Sequence, residues 1–165
     1  MADIQAGTVI DAKYRILDVL GRGGMGIVYR AEQLDIEGQP MREVALKMLL
    51  AGSFPDPRLF RWFIRESRIA ARLDSLHTVT VYDFGQTEDG QLYSIMELVR
   101  GPTLREILQN EAPLPVERVV HIAGHMCEAL AEAHAPPDPI VHRDLKPANI
   151  FIEQRQGRMV GRSSG

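Results

Sequence analysis

The order of strand and helix patterns limits the possible fold of this chain more than any other feature. Three strand-like segments come first, at 14–20, 27–31 and 43–50, and a glycine cluster separates the first two, as in a hairpin. A helix is predicted over 57–74, because apolar residues recur there at helical spacing and Asp56 can cap its start. Most of the sheet is therefore encoded before the first helix.

Two further strands, 79–84 and 92–97, follow that helix. A short helix is then predicted directly after Thr103, which is its N-cap. A longer helix is predicted over 115–134 and a last short strand over 150–153. Single strands and helices do not alternate, which argues against a Rossmann-type parallel sheet. The order predicts an α+β fold, in which an antiparallel sheet with one packed helix precedes a helical region.

Composition places the chain among ordinary globular proteins and limits the classes of partner that it can be expected to bind. Of the 165 residues, 45% are hydrophobic and 25% charged, enough apolar material for one domain or slightly more. A net charge of −3 disfavours a nucleic-acid binder that depends on a basic field. No apolar run approaches the roughly 20 residues of a membrane span. The N-terminal residues lack the features of a signal peptide. The single cysteine, Cys127, fits a reducing compartment. We expect a cytoplasmic protein with no membrane segment in this chain.

The glycine cluster has the spacing of a phosphate-binding loop. Gly21, Gly23 and Gly26 match G-x-G-x-x-G, and glycines let backbone N–H groups approach phosphate oxygens closely. A dinucleotide-binding motif requires a helix directly afterwards, whereas the strand formers 27–29 follow here. A flap folded over phosphates and a plain glycine-rich hairpin turn both remain open.

One lysine, Lys47, interrupts the apolar strand 43–50. A buried ammonium is costly unless it is paired, although an edge lysine could also face solvent. The predicted helix offers a partner, because Glu66 is spaced three residues after Phe63 and four before Ala70, on or beside the apolar face. We predict an ion pair between Lys47 and Glu66 that leaves the ammonium able to bind a nucleotide phosphate.

The most informative segment is 142–149, which reads His-Arg-Asp-Leu-Lys-Pro-Ala-Asn. Apolar residues flank it on both sides and would anchor it as a loop. Asp144, Lys146 and Asn149 bring an acid, a base and an amide within six positions, so that they can converge on one site. The alternative is a solvated loop without chemistry.

With these features in this order over 14–153, the sequence resembles the eukaryotic-type serine/threonine protein kinases, and most of all their bacterial branch. The resemblance implies a kinase-like small lobe over 14–98, with a five-stranded antiparallel sheet and one packed helix. It implies the start of an incomplete helical large lobe, with the catalytic loop, over 99–153. We expect the small and polar segment 1–13 and the tail 154–165 to lie outside the packed lobes, although the tail could begin another strand at its apolar centre.

The resemblance also implies roles, with ATP and Mg²⁺ as cofactors and a serine or threonine of a protein as the phosphate acceptor. Asp144 would orient the substrate hydroxyl and accept its proton, Lys146 would neutralise charge on the transferring phosphoryl group, and Asn149 would hold Mg²⁺. Lys47, paired with Glu66, would bind the α- and β-phosphates. The other implied nucleotide contacts are Leu20, Gly21, Gly23, Gly26, Val28, Ala45, Met96, Glu97 and Val99.

The family's metal-binding Asp-Phe-Gly triplet follows the catalytic loop and is not found after it in these 165 residues. The one such triplet, 83–85, precedes the loop and is predicted to be a strand end and turn rather than a metal site. We therefore expect an N-terminal fragment of a kinase domain, with negligible phosphotransfer of its own. The alternatives are a non-catalytic nucleotide-binding or regulatory, pseudokinase-like module and a plain interaction domain.

Overall fold

The chain forms two compact units. The first holds the described residues of 1–71 and 81–98, and the second holds those of 72–80 and 99–165. The helix predicted over 57–74, with Glu66, lies outside the described residues except for Leu73. The computed structural model describes residues 4–23, 26–49, 73, 75–137, 139, 141–142, 144–155 and 158–163, with the backbone alone from residue 154 on.

The first unit is a six-stranded antiparallel sheet, which confirms the predicted sheet and adds one strand to it. The strand order is β1-β2-β3-β4-β6-β5, so every neighbouring pair is antiparallel. The strands are β1 (Val9–Ile10), β2 (Tyr14–Gly23), β3 (Gly26–Leu34), β4 (Pro40–Leu49), β5 (Val81–Gln86) and β6 (Leu92–Glu97).

The added strand is β1, which the sequence did not predict. Val9 pairs with Arg15 and Ile10 with Tyr14. Ile10 is only 8% exposed and joins the core of the sheet. The expectation that 1–13 lies outside the packed structure is therefore wrong for this strand, because a single buried isoleucine ties it to the sheet.

Strand alternation places the core of the first unit on one face of the sheet. In β4, Val44, Leu46 and Met48 are buried in the core cluster, whereas Ala45 and Lys47 alternate with them and lie on the opposite face. This alternation divides the sheet into a core face and a second face.

Two buried tyrosines on the core face have their hydroxyls held by acids. Tyr14 donates a hydrogen bond to Oδ2 of Asp83 at 2.9 Å, and Tyr93 donates one to Asp11. The two rings meet edge to face with centroids 6.1 Å apart. Burial, and then the adjacent carboxylate, raises the pKa of both phenols. Both hydroxyls therefore remain donors throughout the physiological range.

The second unit contains two helices and a hairpin. They are α1 (Leu104–Glu111), α2 (Val116–Ala133), a 3₁₀ turn (Pro147–Asn149) and the paired strands β7 (Ile150–Arg155) and β8 (Arg158–Ser163). Its core is the apolar cluster of Ile107, Ile122, Ile150 and Ile152, each at most 5% exposed. Strand β8 shows that the tail does form a strand, paired along its whole length with β7.

Helix α1 begins where the sequence predicts. The hydroxyl of Thr103 accepts a hydrogen bond from the Glu106 N–H at 3.2 Å, and the Glu106 carboxylate accepts one from the Thr103 N–H at 2.7 Å. This reciprocal capping box satisfies two donors that the first helical turn would otherwise leave open. Neither helix in the described part of the chain is long and apolar enough to cross a bilayer.

Candidate functional site

The face of the sheet opposite the core carries the predicted nucleotide contacts. The register aligns Val28 with Lys47 and Lys47 with Ser94 in one row across β3, β4 and β6. The adjacent row pairs Ala45 with Met96. Because directly opposite residues lie about 5 Å apart on one face, these five residues form a continuous surface, which we call the lysine face.

The lysine face is mainly apolar, with two polar members. Ala45 and Met96 are 6% and 7% exposed, and Lys47 is half-buried. Ser94 is 9% exposed and is the cross-strand neighbour of Lys47. We did not predict Ser94 from the sequence, although the alternation that places Met96 on this face places Ser94 there as well. An apolar wall with a lysine at its edge suits a flat aromatic ring joined to phosphates.

The predicted glycine loop is the hairpin between β2 and β3. Gly23 pairs with Gly26, and Gly21 pairs with Val28. A side chain at Gly26 would collide with the backbone carbonyl of Met48, so packing alone requires glycine there. Gly21 and Gly23 face open space among the described residues. Packing does not explain the last two glycines, which fits close approach of the backbone to a ligand.

The three other predicted contacts outside the glycine hairpin and the lysine face are Leu20, Glu97 and Val99. Leu20 is 49% exposed and lies beside a register shift in β2. Glu97 ends β6 in the first unit, and Val99 follows in the second unit; both are half-buried. Their contacts to adenine, through the Glu97 carbonyl and the Val99 N–H, stay predictions.

In the second unit, the structure brings together three residues predicted for catalysis. The Lys146 ammonium lies 2.8 and 2.7 Å from the two carboxylate oxygens of Asp144. The Asn149 side chain donates from Nδ2 to the Asp144 carboxylate and to its backbone carbonyl, both at 2.9 Å. The acid, base and amide of the loop therefore form one cluster, centred on the Asp144 carboxylate.

Local backbone geometry explains why this loop holds its shape. Pro147 begins the 3₁₀ turn, which closes with the Asn149 N–H donating to the Lys146 carbonyl at 2.9 Å. The Asp144 N–H donates to the His142 carbonyl at 2.8 Å. Directly after the turn, Ile150 is 2% exposed and anchors the loop in the core of the second unit.

The cluster is charged and accessible. The Lys146 hydrogen bond, followed by that from Asn149, lowers the pKa of Asp144 below its usual range. The side chains of Asp144 and Lys146 are 42% and 51% exposed. The carboxylate is therefore ionised at neutral pH and accessible to solvent.

Two further predictions have different outcomes. The predicted pair of Lys47 with Glu66 stays a prediction, because Glu66 lies outside the described residues. The triplet at 83–85 lies within β5, where both carboxylate oxygens of Asp83 accept hydrogen bonds, from the Tyr14 hydroxyl and the Phe84 N–H. The triplet was predicted to be a strand end and turn, but all three residues lie within β5 and the turn follows at 88–89. Among the described residues, no three His, Cys, Asp or Glu side chains are grouped to hold a metal.

Comparisons with known proteins match both units. The sequence matches the family described as "Protein kinase domain" over residues 14–160. It is 42% identical over 154 residues to serine/threonine-protein kinase pkn3 of Myxococcus xanthus, covering 93% of this chain and 27% of that protein. It is 40% identical over 147 residues to PrkC of Bacillus subtilis, covering 89% of this chain and 22% of that protein.

A solved structure shares the fold. The crystal structure of the Mycobacterium tuberculosis PknI kinase domain superposes with a TM-score of 0.81 at 31% sequence identity, covering 98% of this chain and 62% of that chain. The chain thus spans about a quarter of the length of the two curated relatives and 62% of the solved domain.

Proposed function

Since the chain belongs to the protein kinase family, we propose that it supplies the nucleotide-binding and proton-accepting residues of an ATP-dependent serine/threonine protein kinase. The observation that carries this proposal is the cluster at Asp144, whose carboxylate contacts both Lys146 and Asn149. A solvated loop without chemistry gives no reason for an ionised acid, a cation and an amide to converge. Dependence on ATP suggests action in the cytoplasm.

Asp144 is the proposed proton acceptor. Its carboxylate orients the hydroxyl of a protein serine or threonine and takes the hydroxyl proton as the oxygen attacks the γ-phosphorus. The bond between that phosphorus and the ADP oxygen breaks at the same stage. Lys146 is placed to balance the charge of the carboxylate before transfer and the charge of the phosphoryl group during transfer.

Asn149 fits the role of a magnesium ligand. Its Nδ2 is committed to Asp144, whereas its Oδ1 makes no hydrogen bond with the described residues. An amide oxygen is a ligand type that Mg²⁺ accepts. When bound, Mg²⁺ neutralises charge on the β- and γ-phosphates. One neutral oxygen is a weak site, so we propose that Asn149 needs a carboxylate partner to hold the ion.

The lysine face is the proposed nucleotide wall. Ala45, Val28 and Met96 would contact the adenine ring, with Met96 at the back, and Lys47 would bind the α- and β-phosphates. Gly21 and Gly23 offer open backbone to the phosphates. Burial of the ring against apolar side chains supplies affinity, and the few polar groups of the wall supply orientation.

The experiment joins these 165 residues to the C-terminal part of the PknI kinase domain and measures label transfer from radiolabelled ATP to a basic acceptor protein. We expect transfer, with a loss of about 10²- to 10⁴-fold in Asp144→Ala. Glu88→Gln, which removes an exposed carboxylate from the first unit, should leave the rate unchanged.

The same joined protein distinguishes kinase activity from the alternative, a binding module without phosphotransfer. If the joined chain binds ATP in an NMR titration but transfers no label under any condition, the proposal is wrong and a pseudokinase-like binding module is favoured. Equal transfer by wild type and Asp144→Ala would remove Asp144 from the proposed mechanism.

A further inference from the structure

An ion-pair network crosses three strands of the first unit beside the lysine face. Arg30 of β3 lies opposite Asp18 of β2 and opposite Ala45 of β4. Its guanidinium donates to both carboxylate oxygens of Asp18, from Nε at 3.3 and 3.1 Å and from Nη2 at 2.6 Å. Its Nη1 donates to Oε1 of Glu43, also on β4, at 3.1 Å. Paired bonds between charged groups fix orientation as well as distance, so Arg30 ties both neighbouring strands to β3.

Strand β2 is irregular where this network attaches. Its register with β3 shifts between Ile16 and Asp18, and again between Val19 and Gly21. Between the two shifts, Asp18 and Val19 are the β2 residues that pair with β3. Leu20 falls within the second shift, where β2 has one residue more than β3. An extra residue interrupts the ladder and re-aims the side chains around it. The guanidinium therefore attaches to a two-residue stretch of β2 with an irregularity on each side.

This stretch leads directly into predicted nucleotide contacts. Leu20 and Gly21 follow Asp18 along β2. Leu20 is 49% exposed, so its own packing does little to fix where it lies. On the other side of the network, Ala45 belongs to the lysine face. Arg30 thus connects the proposed nucleotide wall with the strand that carries Leu20.

We propose that Arg30 is a positioning residue for the adenine end of the nucleotide site: by holding Asp18, it fixes where Leu20 lies relative to the lysine face. The inference rests on the proposed nucleotide site and deepens it. The guanidinium acts through Asp18 rather than on the nucleotide itself. A partly exposed ion pair contributes modestly to overall stability, so losing it should alter adenine binding without unfolding the sheet.

A second ion pair between the same two strands provides a matched control. Nη1 of Arg15 on β2 lies 3.3 Å from Oε2 of Glu32 on β3. The side chains of Arg15 and Arg30 are 37% and 38% exposed, so the two pairs have similar access to solvent. Arg15 precedes the first register shift of β2. Its loss therefore leaves the stretch before Leu20 attached to β3.

The test measures binding of ATP, adenosine and inorganic triphosphate to the full chain by isothermal titration calorimetry. In Arg30→Gln we expect ATP and adenosine to bind roughly two- to fivefold more weakly, whereas triphosphate should bind as it does to the wild type. Asp18→Asn should give the same selective loss. The double variant should bind no more weakly than either single variant, because both substitutions remove one bridge. Arg15→Gln should bind all three ligands like the wild type.

If the wild type binds ATP and Arg30→Gln binds it equally well, the positioning role is wrong while the nucleotide site stands. An equal loss for triphosphate, or the same selective loss in Arg15→Gln, would also overturn it, because the effect would then not act through Leu20. A wild type that binds none of the three ligands would overturn the proposed function and this inference with it.

Discussion

Two neighbours on its own loop lower the pKa of Asp144. Lys146 is the main cause of its lowered pKa, and Asn149 is the second. Because the folded chain favours the ionised carboxylate, this contribution to stability is present above the ordinary pKa and is lost as the pH falls through the lowered value. The Asp144 carboxylate is therefore ionised throughout the physiological pH range.

Replacing Lys146 with glutamine is expected to raise the pKa of Asp144 toward the ordinary value of about 3.9, because the largest stabilising contact is lost. NMR titration of the Asp144 carboxyl carbon in the full chain measures the change. Lys13→Gln, at an exposed lysine of the first unit, should leave the midpoint where it is. An unchanged midpoint in Lys146→Gln would contradict the cause assigned here.

Gly26 and Gly21, two glycines of the G-x-G-x-x-G motif, are expected to be required for different reasons. Gly26→Ala forces a Cβ against the Met48 carbonyl and should lower the free energy of unfolding by about 1–3 kcal/mol. Gly21→Ala enters open space and should change it by less than about 0.5 kcal/mol, while weakening ATP binding. Urea unfolding and ATP titration of both variants provide the measurements. Equal stability losses, or undiminished ATP affinity in Gly21→Ala, would count against this division.

At the scale of elements, the capping box of α1 is the clearest link from sequence to stability. Its hydrogen bonds, first from the Thr103 N–H and then from the Thr103 hydroxyl, lower the pKa of Glu106. The box is therefore complete above the ordinary carboxyl range and is lost as the pH falls through the lowered pKa. The first turn of an eight-residue helix depends strongly on such a cap, because so short a helix is marginal by itself.

Thr103→Ala is expected to lower the free energy of unfolding by about 0.5–2 kcal/mol, since the Glu106 N–H loses its acceptor. Urea unfolding of the full chain, followed by circular dichroism, measures the loss. Thr8→Ala, at an exposed threonine of the first unit, should cost less than about 0.5 kcal/mol. If the two variants are equally stable, the cap contributes nothing.

Elements with a local signal were predictable, and those held by distant contacts were not. Helix α2 and strands β2–β6 follow from apolar periodicity, and α1 follows from Thr103. Strand β1 has two residues and is fixed by the burial of Ile10, which no local pattern encodes. The rings of His77, before β5, and His125, on α2, stack with centroids 4.0 Å apart, and sequence spacing gave no signal for a contact between residues so distant in sequence.

The site was predictable to the same extent. Asp144, Lys146 and Asn149 lie within six positions, and Ile150 anchors the end of this short loop in the core of the second unit. Lys47 could be singled out because a lysine in an otherwise apolar strand is costly to bury unless it is paired. Ser94 was missed because a serine in a strand is ordinary until the register places it opposite Lys47. The pairing of Lys47 with Glu66 stays a prediction.

At the scale of the whole molecule, each unit has its own core and its own set of predicted site residues. The first unit builds the lysine face on a sheet with a separate apolar core. The second unit anchors the Asp144 loop through Ile150 and Ile152. The family match runs through both units.

We predict that the 165-residue chain by itself transfers negligible phosphate, although Asp144, Lys146 and Asn149 form their cluster. Asn149 offers Mg²⁺ one neutral oxygen, whereas the ion prefers carboxylates and phosphate oxygens, so the γ-phosphate should be poorly placed. A displacement of about 1 Å can already cost roughly 10²-fold in rate. The assay compares label transfer from radiolabelled ATP by this chain, by the same residues joined to the C-terminal part of the PknI kinase domain, and by Asp144→Ala versions of both. Transfer by the 165-residue chain that disappears in its Asp144→Ala version would show that these residues hold the metal and γ-phosphate without a further carboxylate.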